Sequence, residues 1–426
     1  MKKNALDFSY TLSPAQRQEI DELLKQHSPE EILTSLVDRP IDPKTEQIIK
    51  ADKNSYAFWG PETSKLVRTP ETLFLPMSFE AFKISGASEL NFKHPSAKFA
   101  SLELAMSALT IAKWSEELNL KEFFLKNANF SSKHRWPHTC NIDFSYTPNM
   151  TTEDKISKII SHMCQINSDA MLVWTNPGLG WVARKKLDLE PIFYAFGRKF
   201  FHFTDPKTGE TQTLSTGASD EAEQKIASWN AQNPNMQLQQ TFHIGMPITR
   251  EIRIFTLGGE IVGFVPYWTP IAFKNQNVYG LDKDITLDAA LKRMNTFTQD
   301  ELNYLHNETK KIIQHPKFHD TDWAIDWIIT RDKIWYMTDM QVAQQSYMDY
   351  DNMIFASDTG RTRVHQFLNQ QLESMRHAQK NLSLFDKIVL KLTGASTDID
   401  KNLKRSGYPS QKQIIKLNQQ IGTKQK

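Results

Sequence analysis

Residues 250 to 265 read REIRIFTLGGEIVGFV, two alternating stretches joined by a glycine pair, and this segment decides how the rest of the chain is read. Gly258 and Gly259 both tolerate positive φ, so Glu251 to Leu257 and Glu260 to Val265 are expected to pair as a tight hairpin. In the first arm, period-two alternation sends Glu251 and Arg253 to one face and Ile252 and Ile254 to the other. Such a same-face acid and base pair usually belongs to the solvent side of a half-buried sheet.

Outward from this hairpin, helices are expected over about 287–294 and 299–313. Two apolar strands should follow, Trp323 to Ile329 and Ile334 to Met337, separated by Thr330-Arg331-Asp332-Lys333. If those strands pair, Asp326 and Asp339 can face one cleft, and Asp339 and Gln341 share a side of the extended chain. Two carboxylates and an amide oxygen suit Mg²⁺, which prefers oxygen donors and shares its octahedron with phosphates and water. Asp326, flanked by Ile325 and Trp327, is also costly to bury without a partner.

Upstream, the spacing predicts a strand and turn over 72–84, a helix over 96–118 and a strand at Glu122 to Leu125. A polar loop then runs from Lys126 to His134, and a helix spans about 151–166. Val173 and Val182 mark short strands around Asn176-Pro177-Gly178. A hairpin is expected over 192–214, turning at Asp205-Pro206-Lys207-Thr208-Gly209, with a helix near 220–229 behind it. Ser13-Pro14 and Ser28-Pro29 open two short helices within 13–38. A last helix covers about 364–379, and 401–426 carries seven Lys/Arg and no acid. That tail reads as disordered, or as an amphipathic helix through Ile414, Ile415, Leu417 and Ile421.

With 426 residues, more than one core is expected. The 51 basic and 49 acidic side chains give +2, so net charge alone predicts neither nucleic-acid nor membrane affinity. Cys140 and Cys164 cannot form a disulfide framework or a four-thiolate zinc site, which points to a reducing compartment. The start lacks an apolar signal region and no stretch is long enough to span a bilayer. A cytoplasmic protein is the expectation, with export that needs no cleaved signal left open. His134 and His138 lack further ligands at helical spacing. Trp174, Trp181, Trp323, Trp327 and Trp335 read as core.

The loop Lys126-Asn127-Ala128-Asn129-Phe130-Ser131-Ser132-Lys133 offers two lysines and hydroxyls to phosphate oxygens. Taken in order with Val182-Ala183-Arg184-Lys185, with Arg250-Glu251-Ile252-Arg253, and with Asp326 and Asp339-Met340-Gln341, it resembles the ATP-grasp superfamily. Within that superfamily it is most similar to the cell division cycle protein 123 family. The resemblance covers about 123–346. It implies an α/β fold of two α+β lobes holding ATP and Mg²⁺, with a helical N-terminal region (1–70), a small lobe (71–180), a large lobe (181–350) and a helical, basic extension (351–426). Lys126 and Arg253 would serve the transferring phosphoryl, with Lys126 touching either the ATP phosphates or the adenine side, and Ser131, Ser132 and Lys133 would cover the phosphates. Val182 to Leu187, with Arg184 and Lys185, would form the adenine hinge, and Glu251 would also bind ATP. Asp326, Asp339 and Gln341 would hold the metal.

The loop lacks the family's glycines, Gln341 replaces an asparagine, and 190–245 reads as an insertion. The function so implied is an ATP-dependent ligase that activates a carboxylate. The alternatives are an ATP-binding protein-assembly factor and an ATP-dependent RNA-end ligase. Partners would be ATP and an unidentified protein or small-molecule acceptor, with nucleic-acid or membrane contact through 401–426.

Overall fold

The computed structural model describes residues 47, 51–86, 95–145, 150–172, 178–209, 211–215, 221–274, 276–381 and 398–424. The helices expected within 13–38, and the strand at Val173 with Asn176 and Pro177 of its turn, lie outside them. The chain forms two compact units. One is built from 70–248 with 273–284 and residues up to Phe58. The other takes 59–69, 249–272 and 285 onward. Helix α1 (Tyr56–Leu66) runs from the first into the second.

The first unit holds β1 (Thr72–Pro76), α2 (Phe79–Gly86), α3 (Pro95–Glu117), β2 (Glu122–Asn127), β3 (Asn141–Asp143), α4 (Thr152–Leu172) and β4 (Gly180–Lys185). Its antiparallel sheet has the order β1-β4-β2-β3. One face, carrying Leu75, Phe123, Leu125, Ile142, Trp181 and Ala183, packs with Ala108, Ile111, Ile159, Met163 and Ile166 of α3 and α4. An expected boundary at 180/181 would fall inside β4. That strand is hydrogen-bonded on both sides within this sheet, and the units part instead between Ile248 and Thr249.

Two local expectations are corrected here. The turn expected after β1 is helix α2. Ser78 caps it by accepting from the Ala81 amide at 3.1 Å, while the buried Glu103 accepts from the Ser78 amide at 2.6 Å and hydroxyl at 2.7 Å. Helix α4 also continues six residues past Ile166. Asn167 and Asp169 spend their side chains on distant partners rather than on local backbone, so they do not stop the helix.

The same unit continues as β5 (Phe193–Thr204), β6 (Thr211–Ser215), α5 (Glu221–Gln232) and β7 (Gln237–Ile248). The expected hairpin is present, and β7 joins it in a sheet of order β6-β5-β7. Helix α5 lays Ile226 and Trp229 on Phe203 and Leu214.

In the second unit, β8 (Glu251–Leu257) and β9 (Glu260–Pro266) form the hairpin read from the sequence, with Gly258 at φ +58° and Gly259 at φ +74°. A β-carbon at either position would strain this turn. Helices α6 (Leu287–Met294) and α7 (Gln299–Ile313) occupy their expected spans, each capped by a threonine, with Thr298 and Glu301 completing a capping box. Strands β10 (Trp323–Ile329), β11 (Trp335–Val342) and β12 (Ile354–Phe355) give the sheet β11-β10-β8-β9-β12. The tryptophans Trp323, Trp327 and Trp335 are buried in this unit, and Trp181 in the first.

Helices α8 (Asp358–Asn381), α9 (Ile399–Arg405) and α10 (Gln411–Lys424) close the described chain. Leu403, Tyr408 and Ile414 pack with Val364, Leu368 and Leu372 of α8 and with Phe255 and Ala324 of the sheet. The basic tail is therefore helical, anchored through Ile414, while Ile415 stays 40% exposed. No helix among the described residues is long and apolar enough to cross a membrane.

Candidate functional site

In an antiparallel sheet, residues directly opposite each other share a face. The register sets Arg253 of β8 opposite Asp326 of β10, and Asp326 opposite Asp339 of β11. The result is a row of one cation and two carboxylates across three strands. Gln341, two residues beyond Asp339 and opposite Ala324, lies on the same face. A register shift between Asp326 and Trp327 inserts an extra residue into β11 beside the carboxylate pair, and the Thr338 hydroxyl donates to the Asp326 carbonyl at 3.3 Å.

Arg253 grips Asp326 with two parallel bonds, Nε to Oδ1 at 2.7 Å and Nη2 to Oδ2 at 2.9 Å. Its Nη1 donates to the Tyr347 carbonyl at 3.2 Å, and its guanidinium lies 4.9 Å from the centre of the Tyr267 ring. Burial works against the charge on Arg253, but the Asp326 carboxylate and its hydrogen bonds outweigh it, so the guanidinium is held above its ordinary pKa.

Sequence reasoning treated Glu251 and Arg253 as a solvent-side pair. Glu251 is instead buried, as are Ile252 and Ile254 on the opposite face, and the ion pair of Arg253 is with Asp326. Because β8 is an interior strand, β10 beside it sets Asp326 directly opposite Arg253.

Among the described residues no group of three or more His, Cys, Asp and Glu side chains is placed to hold a metal. The expected donors are nonetheless all oxygens on one sheet face. Arg253 occupies one lone pair on each oxygen of Asp326, and the Gln341 amide oxygen accepts from the Ser346 hydroxyl at 3.3 Å. Each retains acceptor capacity beside Asp339. Such a sparse set of oxygen donors fits Mg²⁺, which usually keeps water and substrate oxygens in its shell.

The first unit gathers a second set. On its four-stranded sheet Lys126 lies opposite Val182, and Arg184 lies opposite Phe124, which in turn faces Asn141. Alternation therefore puts Lys126, Val182, Arg184, Phe124 and Asn141 on the face away from α3 and α4. Lys126 and Arg184 are 3% and 6% exposed, so two cations sit buried as diagonal neighbours. The Arg184 guanidinium lies 5.0 Å from the Tyr56 ring centre. Lys185 belongs to the opposite parity and is exposed, and Leu187 is half-buried beyond the strand.

Of the expected phosphate-covering loop, Ser131 and Lys133 are half-buried, whereas Ser132 is turned inward. Its hydroxyl donates to Asp169 of α4, which also accepts from Arg135 at 2.9 Å and Gln165 at 3.0 Å, and its carbonyl accepts from the Thr139 hydroxyl at 2.6 Å. Ser132 thus fastens the loop to α4 rather than presenting its hydroxyl outward. Sequence reasoning missed Asp169. One signal was present: a carboxylate in the last turn of a helix opposes the helix dipole, so it needs a partner elsewhere. The loop's other anchor, Asn127, accepts from the amides of Asn129 at 3.0 Å and Phe130 at 2.6 Å and donates to Asn167 at 3.1 Å.

Beneath this loop, burial pushes His138 and His162 down to about 3. His162 Nδ1 lies 2.7 Å from the Thr139 carbonyl, which only accepts, so that nitrogen carries the proton of a neutral ring. Folded pKa values below the unfolded ~6.5 mean that the unfolded chain binds more protons between the two limits. The first unit is therefore expected to lose stability as pH falls below ~6.5, by up to ~1.4 kcal/mol per pH unit for each histidine. Urea unfolding at pH 7.5 and 5 checks this. His162→Gln should flatten the slope, and an unchanged slope would contradict the assignment.

No family model matches the chain, and no curated protein matches it. Among solved structures it is similar to D-alanyl-alanine synthetase A from Vibrio cholerae O1 biovar eltor str. N16961, at 11% identity and a TM-score of 0.27, over 68% of this chain. The chain spans about half of that protein, 54% of its length. It is also similar to the D-cycloserine synthetase DcsG, at 10% identity and a TM-score of 0.29, over 80% of this chain and 79% of that one. With TM-scores below 0.5, neither likeness assigns the chain to a family.

Proposed function

We propose that the chain is an ATP·Mg-binding protein of ATP-grasp type that works as an ATP-dependent ligase. The observation that carries this reading is the three-strand row Arg253, Asp326, Asp339 with Gln341 on the same face. Asp339 and Gln341, with the remaining acceptor capacity of Asp326, would hold Mg²⁺, whose bound charge neutralises phosphate oxygens. Arg253 fixes Asp326 in place through its two parallel bonds. In the reaction, a carboxylate oxygen of the acceptor bonds to the γ-phosphorus as the bond to ADP breaks. An amine then attacks the acyl carbon, loses its proton and expels phosphate.

Lys126 and Arg184, buried on one sheet face of the first unit, are candidates for anionic oxygens of the nucleotide. ADP release from ATP, dependent on an added carboxylate and amine and lost in Asp339→Asn, tests the ligase reading. No ADP release with any acceptor pair, despite binding of ATP, would overturn it.

A second reading, an ATP-binding assembly factor like the cell division cycle protein 123 family, is favoured by the commitment of Arg253. Its guanidinium already serves Asp326 and the Tyr347 carbonyl, which leaves it less able to follow a phosphoryl group in transfer. Tight ATP·Mg binding without turnover is its expected outcome. The RNA-end reading rests only on the seven basic residues of 401–426.

A further inference from the structure

Arg198 of β5 is a half-buried cation to which the fold gives no counter-ion. Among the described residues its side chain forms no hydrogen bond and no ion pair, and the charge that acts on it is the like charge of Arg135. Burial first, and then that neighbour, hold the guanidinium below its ordinary pKa, although an arginine stays charged. A cation withdrawn from water without a partner costs free energy that an arriving anion would recover.

The segment Lys133–His138 brings Arg135 to this place. The His134 ring lies 4.9 Å from that of Phe196, and the His138 ring 5.9 Å from that of Phe200. The segment therefore runs alongside β5, with Arg135 between the two ring contacts and Arg198 midway between the two phenylalanines. Arg198 and Phe200 share one face of β5, opposite the face on which Phe201 and Phe203 meet α5. Ser215, directly across from Phe200, has its hydroxyl 3.5 Å from His138 Nε2. The other charges at this place are answered. Asp169 accepts from Arg135 at 2.9 Å, and also from Ser132 and Gln165, while Lys158 near His138 is matched by Asp143. The positive charge left in excess is that of Arg198.

We propose that Arg198, with the donors of Arg135 that Asp169 does not use, binds the carboxylate of an organic monoacid, a site that neither includes the ATP·Mg residues nor rests on that reading. The guanidinium fork matches the two oxygens of a carboxylate. A single unanswered charge suits a monoanion better than a phosphate dianion. The half-buried Phe200 ring offers the body of the acid an apolar flank.

Thermal unfolding of the full chain, without nucleotide and at fixed ionic strength, tests this with phenylacetate as the probe and its neutral amide as the control. Phenylacetate is expected to raise Tm saturably and phenylacetamide to leave it unchanged. Arg198→Gln should weaken the phenylacetate effect at least ~tenfold, the loss of charge-assisted bonds to the acid. Because it removes an unmatched cation, Arg198→Gln without ligand should unfold at or above the wild-type Tm. A lower Tm for that variant would give Arg198 a partner within the fold and overturn the proposal. So would no phenylacetate effect on the wild type, an effect equal to that of the amide, one that Arg198→Gln leaves unchanged, or tighter binding of inorganic phosphate. Failure of ATP to bind would leave these outcomes untouched.

Discussion

Replacing Arg253 by methionine is expected to lower the unfolding free energy by ~3–5 kcal/mol, the cost of leaving a buried carboxylate without its cation. Asp326 is 3% exposed and receives two guanidinium bonds, so the variant strands a charge that water cannot reach. It also removes the donor to the Tyr347 carbonyl. The double variant Arg253→Met with Asp326→Leu removes both charges and should recover most of the loss, because an apolar pair of similar volume costs little in place of a buried ion pair. Urea unfolding monitored by tryptophan fluorescence checks both, since Trp323 and Trp327 flank Asp326 on the same strand. A loss under ~1 kcal/mol for the single variant would be the size of an exposed pair and would contradict this reading of the row.

Asp339→Asn is expected to weaken ATP binding on the order of 100-fold in Mg²⁺, or ~2.7 kcal/mol, and to change it little in EDTA. The carboxylate is half-buried and accepts from the Met340 amide at 3.1 Å, and asparagine keeps an oxygen acceptor there, so the substitution should leave the sheet intact. The same substitution relieves the juxtaposition of two carboxylates, Asp326 and Asp339 being directly opposite. Stability without metal should therefore hold or rise slightly. Equal affinity for wild type and variant in both conditions would remove Asp339 from the ligand set.

Much of the second unit was legible because its signals are local. The Gly258-Gly259 turn, the threonine caps of α6 and α7, and the alternation in β8 each fix a geometry within a few residues. Asp326 and Asp339 then become neighbours once β10 and β11 pair. Less legible was anything decided by distant partners. Glu103 made the residues after Ser78 a helix, and Asn167 and Asp169 let α4 run on. The register of β8 with β10 gave Arg253 its ion pair with Asp326, a partner on another strand. Ser132 shows the same limit at the site, because nothing in its own loop announces that α4 supplies a carboxylate. Strand β7 was missed as an element because its glutamines carry almost no apolar alternation. Its pairing with β5 is what makes it a strand.

The reading as a whole turns on whether a nucleotide binds with metal, and calorimetric titration of ATP into the full chain measures that directly. In Mg²⁺ the account predicts saturable binding of one ATP per chain, weakened sharply when EDTA replaces the metal. Heats no larger than dilution in both conditions would contradict it.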